Sequence, residues 1–267
     1  MDEIQLVIGF FINKPRCIVS SENILMLSDF VSKFYKMDYT NFSYCETQEN
    51  GKSKTKSFKY TEKNIDKFSS GYSSNITAIG LYKLKNDNSY LNTDLLLEYL
   101  LTDKNDIPIT IHIILDAQMI DKFCSEHLIS LAEQIKKSGL DLQYGIAFLM
   151  ERKKMPSYFL SGMQTPELRE EERKIANALS LNIREYRNKV WDIFWYNIIK
   201  KNLINEIMLK KIEQIVEKDN IIEFDDKYII RLPVAEFDYL KDEKQYNTYQ
   251  SKLRKIFQQN DSIMYSC

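Results

Sequence analysis

The sequence predicts an α+β fold: a mixed, largely antiparallel sheet flanked by helices and divided into two lobes. Three observations predict it. Apolar, β-branched runs of strand length recur at 4–12, 76–84, 109–115 and 142–150. Two longer stretches, 22–37 and 117–137, carry apolar residues at helical spacing instead. The resulting strand–helix–strand–strand order, followed later by strand–helix–strand, is that of an α+β lobe with a mixed sheet.

The elements follow in order. Ile4–Ile12 is apolar throughout and bounded by Asn13-Lys14-Pro15, hence a buried strand. Ser20-Ser21-Glu22 opens a helix whose stripe is Ile24, Leu27, Phe30, Val31 and Phe34. Strands at 42–47 and 55–60 flank Asn50-Gly51, a hairpin signal. A strand at 76–84 contains Gly80, read as a bulge. Asp94–Leu101 reads as a short helix. Pro108 introduces Ile109–Leu115, apolar on both faces and therefore central. In the helix 117–137, Phe123, His127, Leu128, Leu131 and Ile135 make the stripe, Lys136-Lys137 suit its C-terminal dipole, and Gly139 stops it. A strand follows at 142–150.

Composition shifts at Glu151-Arg152-Lys153-Lys154-Met155-Pro156. This places an N-terminal α+β lobe at 1–155, a C-terminal α+β lobe at 156–235 and a helical tail at 236–267. In the second lobe a strand is expected at 157–160 and a helix at 165–180, where Thr165-Pro166-Glu167 supplies cap, proline and acid. Asn205-Glu206 caps a helix to 218, and Asp225-Asp226-Lys227 turns a closing hairpin.

The 267 residues carry 37 Lys and Arg against 38 Asp and Glu, and 44% are apolar. That describes a globular chain with ample core and excludes a disordered one. The near-zero net charge provides no bulk attraction to DNA or to a membrane. The acidic start Met1-Asp2-Glu3 is unlike a secretory signal, and no apolar run reaches the ~20 residues of a spanning helix. Cys17, Cys45, Cys124 and Cys267 are irregularly spaced, without a CxxC pair. A reduced, cytoplasmic protein that does not engage membranes is expected. Heavy use of Lys, Asn and Ile fits an AT-rich bacterial genome.

Chemical motifs are sparse. With seven glycines the chain holds no phosphate-binding loop and no nucleophile elbow. His112 lies in an apolar strand and His127 on an apolar helix face, the positions of core histidines. The sharper alternative pairs one histidine with Asp116, giving an enzyme of a His/carboxylate type. Cys124 and His127 stand at i and i+3 on one helix, a spacing that suits two zinc ligands, but a closed site needs four. No catalytic, cofactor-binding or metal-ligating residue is therefore assigned.

Charge is locally uneven. Residues 86–121 hold seven acids, Asp87, Asp94, Glu98, Asp103, Asp106, Asp116 and Asp121, against Lys104. Such a face is either solvated surface or a dock for a basic partner. Residues 51–67 show the opposite bias, with Lys52, Lys54, Lys56, Lys59, Lys63 and Lys67 against Glu62 and Asp66. This is a lysine-protected edge hairpin or, with Phe58 and Tyr60 interleaved, a nucleic-acid surface. The block Trp191-Asp192-Ile193-Phe194-Trp195-Tyr196-Asn197 is core or a binding surface.

From residue 144 to 233 the order of features resembles bacterial immunity proteins of type VI secretion and polymorphic-toxin systems. The matching elements are Tyr144-Gly145 in a strand, Tyr158 and Ser161-Gly162-Met163, a charged helix, the aromatic segment leading to Asn197, a helix around Met208–Val216, and a hairpin ending Tyr228-Ile229-Ile230-Arg231-Leu232-Pro233. The glycine pair such families carry before the last hairpin is replaced by Glu217-Lys218-Asp219. The resemblance implies a non-enzymatic inhibitor that binds a cognate protein toxin without a cofactor. The expected contact residues are Asp94, Glu98, Asp103, Asp106, Trp191, Trp195 and Tyr196. A homodimer stays open, and a nucleic-acid role through the lysines of 51–67 is the remaining alternative.

Overall fold

The structure, a computed structural model, describes residues 4–12, 19–84, 93–101, 108–116, 123–151, 177, 188–234 and 243–263. Its strands are β1 (Ile4–Ile12), β2 (Asn41–Thr47), β3 (Ser53–Lys59), β4 (Ile76–Leu84), β5 (Thr93–Leu100), β6 (Ile109–Asp116), β7 (Leu142–Glu151), β8 (Tyr196–Lys200), β9 (Ile221–Phe224) and β10 (Lys227–Arg231). Its helices are α1 (Ser21–Tyr35), α2 (Glu62–Ser70), α3 (Ser125–Lys137), α4 (Glu206–Val216) and α5 (Glu243–Gln259).

All ten strands form one sheet in the order β3-β2-β4-β5-β6-β1-β7-β8-β10-β9. Every neighbouring pair among them is antiparallel. Among the described residues, the parallel component expected of a mixed sheet is reduced to an isolated bridge, Val190 to Ile263. The reason is where the helix α1 delivers the chain. It carries it from β1, in the middle, to β2, next to the far edge, so no parallel neighbour is made. Strands from residues 4–151 and from 196–231 share this sheet through the β7–β8 ladder.

The central strands are apolar on both faces. β1 and β6 are buried along nearly their whole length, as their unbroken Ile, Leu, Val and Phe runs require. On one face lie α1, α2 and α3. Ser20 and Asn23 close a reciprocal capping box on α1, and Asn23 Nδ2 donates to the Ser138 carbonyl at the end of α3 (3.1 Å). Gly139, at φ 74°, terminates α3, with Leu140 N–H returning to the Ile135 carbonyl. Gly145 lies on the same face. A Cβ there would stand 3.0 Å from Ile198 Cδ1 and 3.2 Å from Phe10 Cδ1, so the missing side chain lets neighbouring strands interlock.

Three expectations are corrected. Asp94–Leu101 is not a helix but strand β5, paired to β4 and β6; long-range pairing overrides the helical preference of its leucines and glutamate. Gly80 pairs in register with Ser43 and Glu98, and the irregularities lie at Cys45/Glu46 and Lys83/Leu84. The helix expected from 117 has its N-cap at Cys124, with 117–122 outside the described residues. The expected strand 157–160 also lies outside them. Of the expected helix 165–180 only residue 177 is described, and it is helical.

At the β7–β8 end a buried polar knot holds the second face. Asp192, 1% exposed, receives Arg254 Nε (2.7 Å) and Nη2 (2.5 Å) from α5 and the Ile193 N–H (2.7 Å). Tyr144 Oη donates to the Asp192 carbonyl. Asn197 Oδ1 accepts the Phe194 N–H (2.8 Å), and Gln250 Nε2 donates to the Ile193 carbonyl (2.5 Å). These bonds tie the chain at 190–195 to both sheet and helix.

Arg254→Met leaves the Asp192 carboxylate buried and unpaired. It is expected to lower unfolding stability by ~3–5 kcal/mol in urea titrations, and Asp192→Asn with Arg254→Met to recover most of that loss. A second outcome concerns alkali. Burial pushes the phenols of Tyr39, Tyr99 and Tyr144 well above the ordinary tyrosine value, and Tyr72 is pushed up to about 12. The unfolded chain ionises them first, so their contribution is intact below about pH 10 and lost as pH rises beyond it. Urea midpoints should hold up to pH 9 and fall above 10, with the phenolate absorbance of these residues appearing together with unfolding.

Candidate partner-binding surface

Of the acidic stretch, Asp94, Glu98 and Asp116 are described, and the β5–β6 register sets all three on one side of the sheet, each already engaged there or buried. Asp94 is half-buried on β5, 4.0 Å from Lys83. Glu98 points its Oε2 at His112 Nδ1 across the β5–β6 ladder (3.2 Å). Asp116 is buried, and Asp103 and Asp106 lie outside the described residues. Trp191, Trp195 and Tyr196 are all but fully buried. Trp191 packs on Phe11 (4.7 Å between centroids), and Tyr196 meets Phe123 edge-on (5.4 Å). Their rings are spent on the core, so the surface role expected of these three does not fit where the fold puts them.

The His112–Asp116 pairing is also corrected. Both side chains leave the same face of β6, but four residues of extended chain separate them by about 13 Å. The carboxylate that meets His112 is Glu98, from the strand alongside. In register with this pair stand Gly9 on one side and Gly80 on the other. His112 is 2% exposed, and among the described residues nothing hydrogen-bonds to its Nε2, nor to Thr110 Oγ1 two residues away on the same face. A carboxylate on Nδ1 fixes the imidazole so that Nε2 is its basic nitrogen. This is the arrangement of a proton acceptor, without a nucleophile beside it among the described residues.

Cys124 and His127 form a local cap instead of a ligand pair. The Cys124 N–H donates to His127 Nδ1 (3.1 Å), and the thiol lies 3.0 Å from the same nitrogen. Phe123 stacks on the ring and Phe34 meets its edge. Burial, with Glu126 adding to it, pushes the Cys124 thiol above its ordinary value, opposite to what a nucleophile needs. No group of three or more His, Cys, Asp or Glu suited to a metal occurs among the described residues.

Among the described residues, two charged surface features contrast with each other. A cleft of about 240 Å³ lies between the C-terminal end of α3 and the β9–β10 turn. Its charges cancel in pairs: Lys136 with Asp225 (2.7 Å), Lys200 with Asp141 (3.0 Å) and Lys227 with Asp226. Lys136 holds the Asp225 carboxyl below the usual carboxylate range.

The other feature is the β2–β3 hairpin, and here the sequence reading of a lysine-lined edge meets the topology: β3 is the end of the sheet. Gly51, at φ 75°, makes the turn, with Gln48 N–H to Lys52 O (2.8 Å). Lys56 pairs with Glu46 (2.7 Å), which raises its ammonium's affinity for its proton, and lies over the Tyr44 ring. Lys52, Lys54 and Lys59 on the hairpin, and Lys63 and Lys67 one turn apart on α2, make no ion pair among the described residues. α2 itself escaped the sequence reading, although Thr61, its N-cap, and Phe68, its buried residue, were the available signals.

No helix among the described residues is long and apolar enough to cross a membrane. No protein family matches the sequence, and no curated protein does. Among solved structures, the chain is similar to the Pseudomonas aeruginosa T6SS protein PA0821, with a TM-score of 0.55 and 8% identity over 96% of this chain and 72% of that one. It also matches the toxic C-terminal tip of CdiA from Pseudomonas aeruginosa in complex with its immune protein, at 14% identity over 63% of this chain and 100% of that one; the TM-score of 0.25 gives this second likeness no weight. At such identity the first likeness establishes a shared α+β fold.

Proposed function

We propose that this chain is a non-enzymatic binding protein that neutralises a cognate bacterial toxin by covering its active site or an interface it needs. The observation that carries the reading is the likeness, along 96% of the chain, to a protein described as belonging to a type VI secretion system. The resemblance of residues 144–233 to immunity proteins supports the same class. So does the surface: an exposed, net-positive hairpin at the sheet end is suited to a macromolecular partner and unsuited to enclosing a small molecule. The mechanism is steric blockade, with complementary charge setting the association rate.

The test is co-expression with the product of the neighbouring gene. That product alone should arrest growth, this chain should restore it, and the purified pair should bind with micromolar affinity or better. A neighbour that is harmless and does not bind would refute the proposal.

A second reading, an enzyme, rests on the His112–Glu98 pair with its buried, unpartnered Nε2. His112→Gln separates the two. Under the binding reading it leaves growth protection and affinity unchanged in a folded variant. Turnover by the purified chain that vanishes in His112→Gln would establish the enzyme instead.

A further inference from the structure

The hydrogen bonds of β3 show what its edge offers. Tyr60 N–H donates to the Thr40 carbonyl (2.9 Å), and Gln48 N–H to the Lys52 carbonyl (2.8 Å). With the register Phe42–Phe58, Tyr44–Lys56 and Glu46–Lys54, these bonds make the even-numbered residues of β3 the ones bonded to β2. Ser53, Thr55 and Ser57 therefore turn their N–H and C=O groups outward, and all three are exposed. Lys59 would be a fourth, but its carbonyl is taken by Asn64 Nδ2 (3.0 Å) at the start of α2. Three consecutive outward positions give up to six unmade ladder bonds.

We infer that this edge is where the toxin docks, adding an acidic strand to the sheet beside β3. The inference rests on the binding reading above and deepens it. A strand placed there completes the ladder at Ser53, Thr55 and Ser57 through backbone alone. Its side chains lie next to the exposed Lys54 and Lys59, which select carboxylates. On the face of Lys54 and Lys56 it also meets a shelf of half-buried rings, Tyr44 and Phe58 (5.9 Å apart), that supplies apolar contact.

Two other occupants fit less well. A second copy pairing antiparallel through the same edge about Thr55 would set Lys54 opposite Lys56 of its partner on both sides of the two-fold, and like charges directly opposed destabilise a ladder. Nucleic acid would meet outward carbonyls alternating with the N–H groups, and those repel phosphate.

The experiment measures affinity between this chain and the neighbouring gene's product, by calorimetry, for the parent and three variants. Thr55→Pro removes an outward N–H without breaking a β2–β3 bond, as edge strands tolerate. Thr55→Val keeps that N–H. Lys54→Glu with Lys59→Glu reverses the selecting charge. The expected result is binding weakened about 100-fold by Thr55→Pro and about 10-fold by the charge reversal, with Thr55→Val unchanged and all variants melting as the parent does. The charge-reversed pair should also lose the parent's salt dependence, which keeps the test decisive if Thr55→Pro fails to fold. Parent binding that survives both Thr55→Pro and the charge reversal overturns the edge site and leaves the binding function standing. A parent that binds nothing overturns both. A dimer in sedimentation that Thr55→Pro dissociates makes the occupant a second copy. Salt-sensitive capture of a single-stranded oligonucleotide, indifferent to Thr55→Pro, makes it nucleic acid. Either of these also overturns the proposal.

Discussion

An antiparallel sheet satisfies its backbone everywhere except at its two ends, and the ends of this one are closed differently. At one end β9 is only four residues long, and Lys201 and Glu223 form an ion pair beside it. A short, charge-flanked edge offers little to another strand. At the other end β3 runs seven residues with its outward backbone groups exposed. Interior strands have every reason to be apolar and none to be seen. Unmade backbone bonds are therefore left at the β3 edge.

What keeps that end from indiscriminate pairing is charge. Lysines on an edge raise the cost of approach for neutral or basic strands, including copies of the same chain. They leave an acidic strand favoured. The cleft under α3 makes an instructive contrast: it is the better-shaped hollow, yet its lysines and aspartates are matched one to one. A matched cluster holds its own loops in place, whereas an unmatched one attracts something else.

The β7–β8 part of the sheet depends on Asp192. Its carboxylate is affordable inside the protein only because Arg254 arrives from α5 with two hydrogen bonds and the Ile193 N–H supplies a third. The aromatic block around it then serves as packing. Phe11 between Trp191 and Tyr144, and Trp195 and Tyr196 against Phe123, fill the space that the knot frames. The same segment looked like a binding surface in the sequence because rings suit both uses, and only partners distant in the chain decide between them.

Local pattern by itself determined α1, α3, α4, the β2–β3 hairpin, the strands β1, β6 and β7, and the α+β class. In each, the side-chain period or the turn residue acts within a few positions. The lysine-rich edge was legible for the same reason, since Asn50-Gly51 and alternate lysines name a hairpin that fears pairing. Tertiary structure alone decided the rest. β5 is a strand because β4 and β6 hold it on both sides, and neither lies within reach of its local preference. Glu98, not Asp116, meets His112, because a neighbour across a ladder is about 5 Å away while four residues along a strand are about 13 Å. Of the acids of 86–121, the described Asp94, Glu98 and Asp116 share one side of the sheet, but the fold gives Asp94 to Lys83 and Glu98 to His112 and buries Asp116. Which strand is last, and so which backbone remains unpaired, is a property of the whole strand order, and no window of sequence contains it.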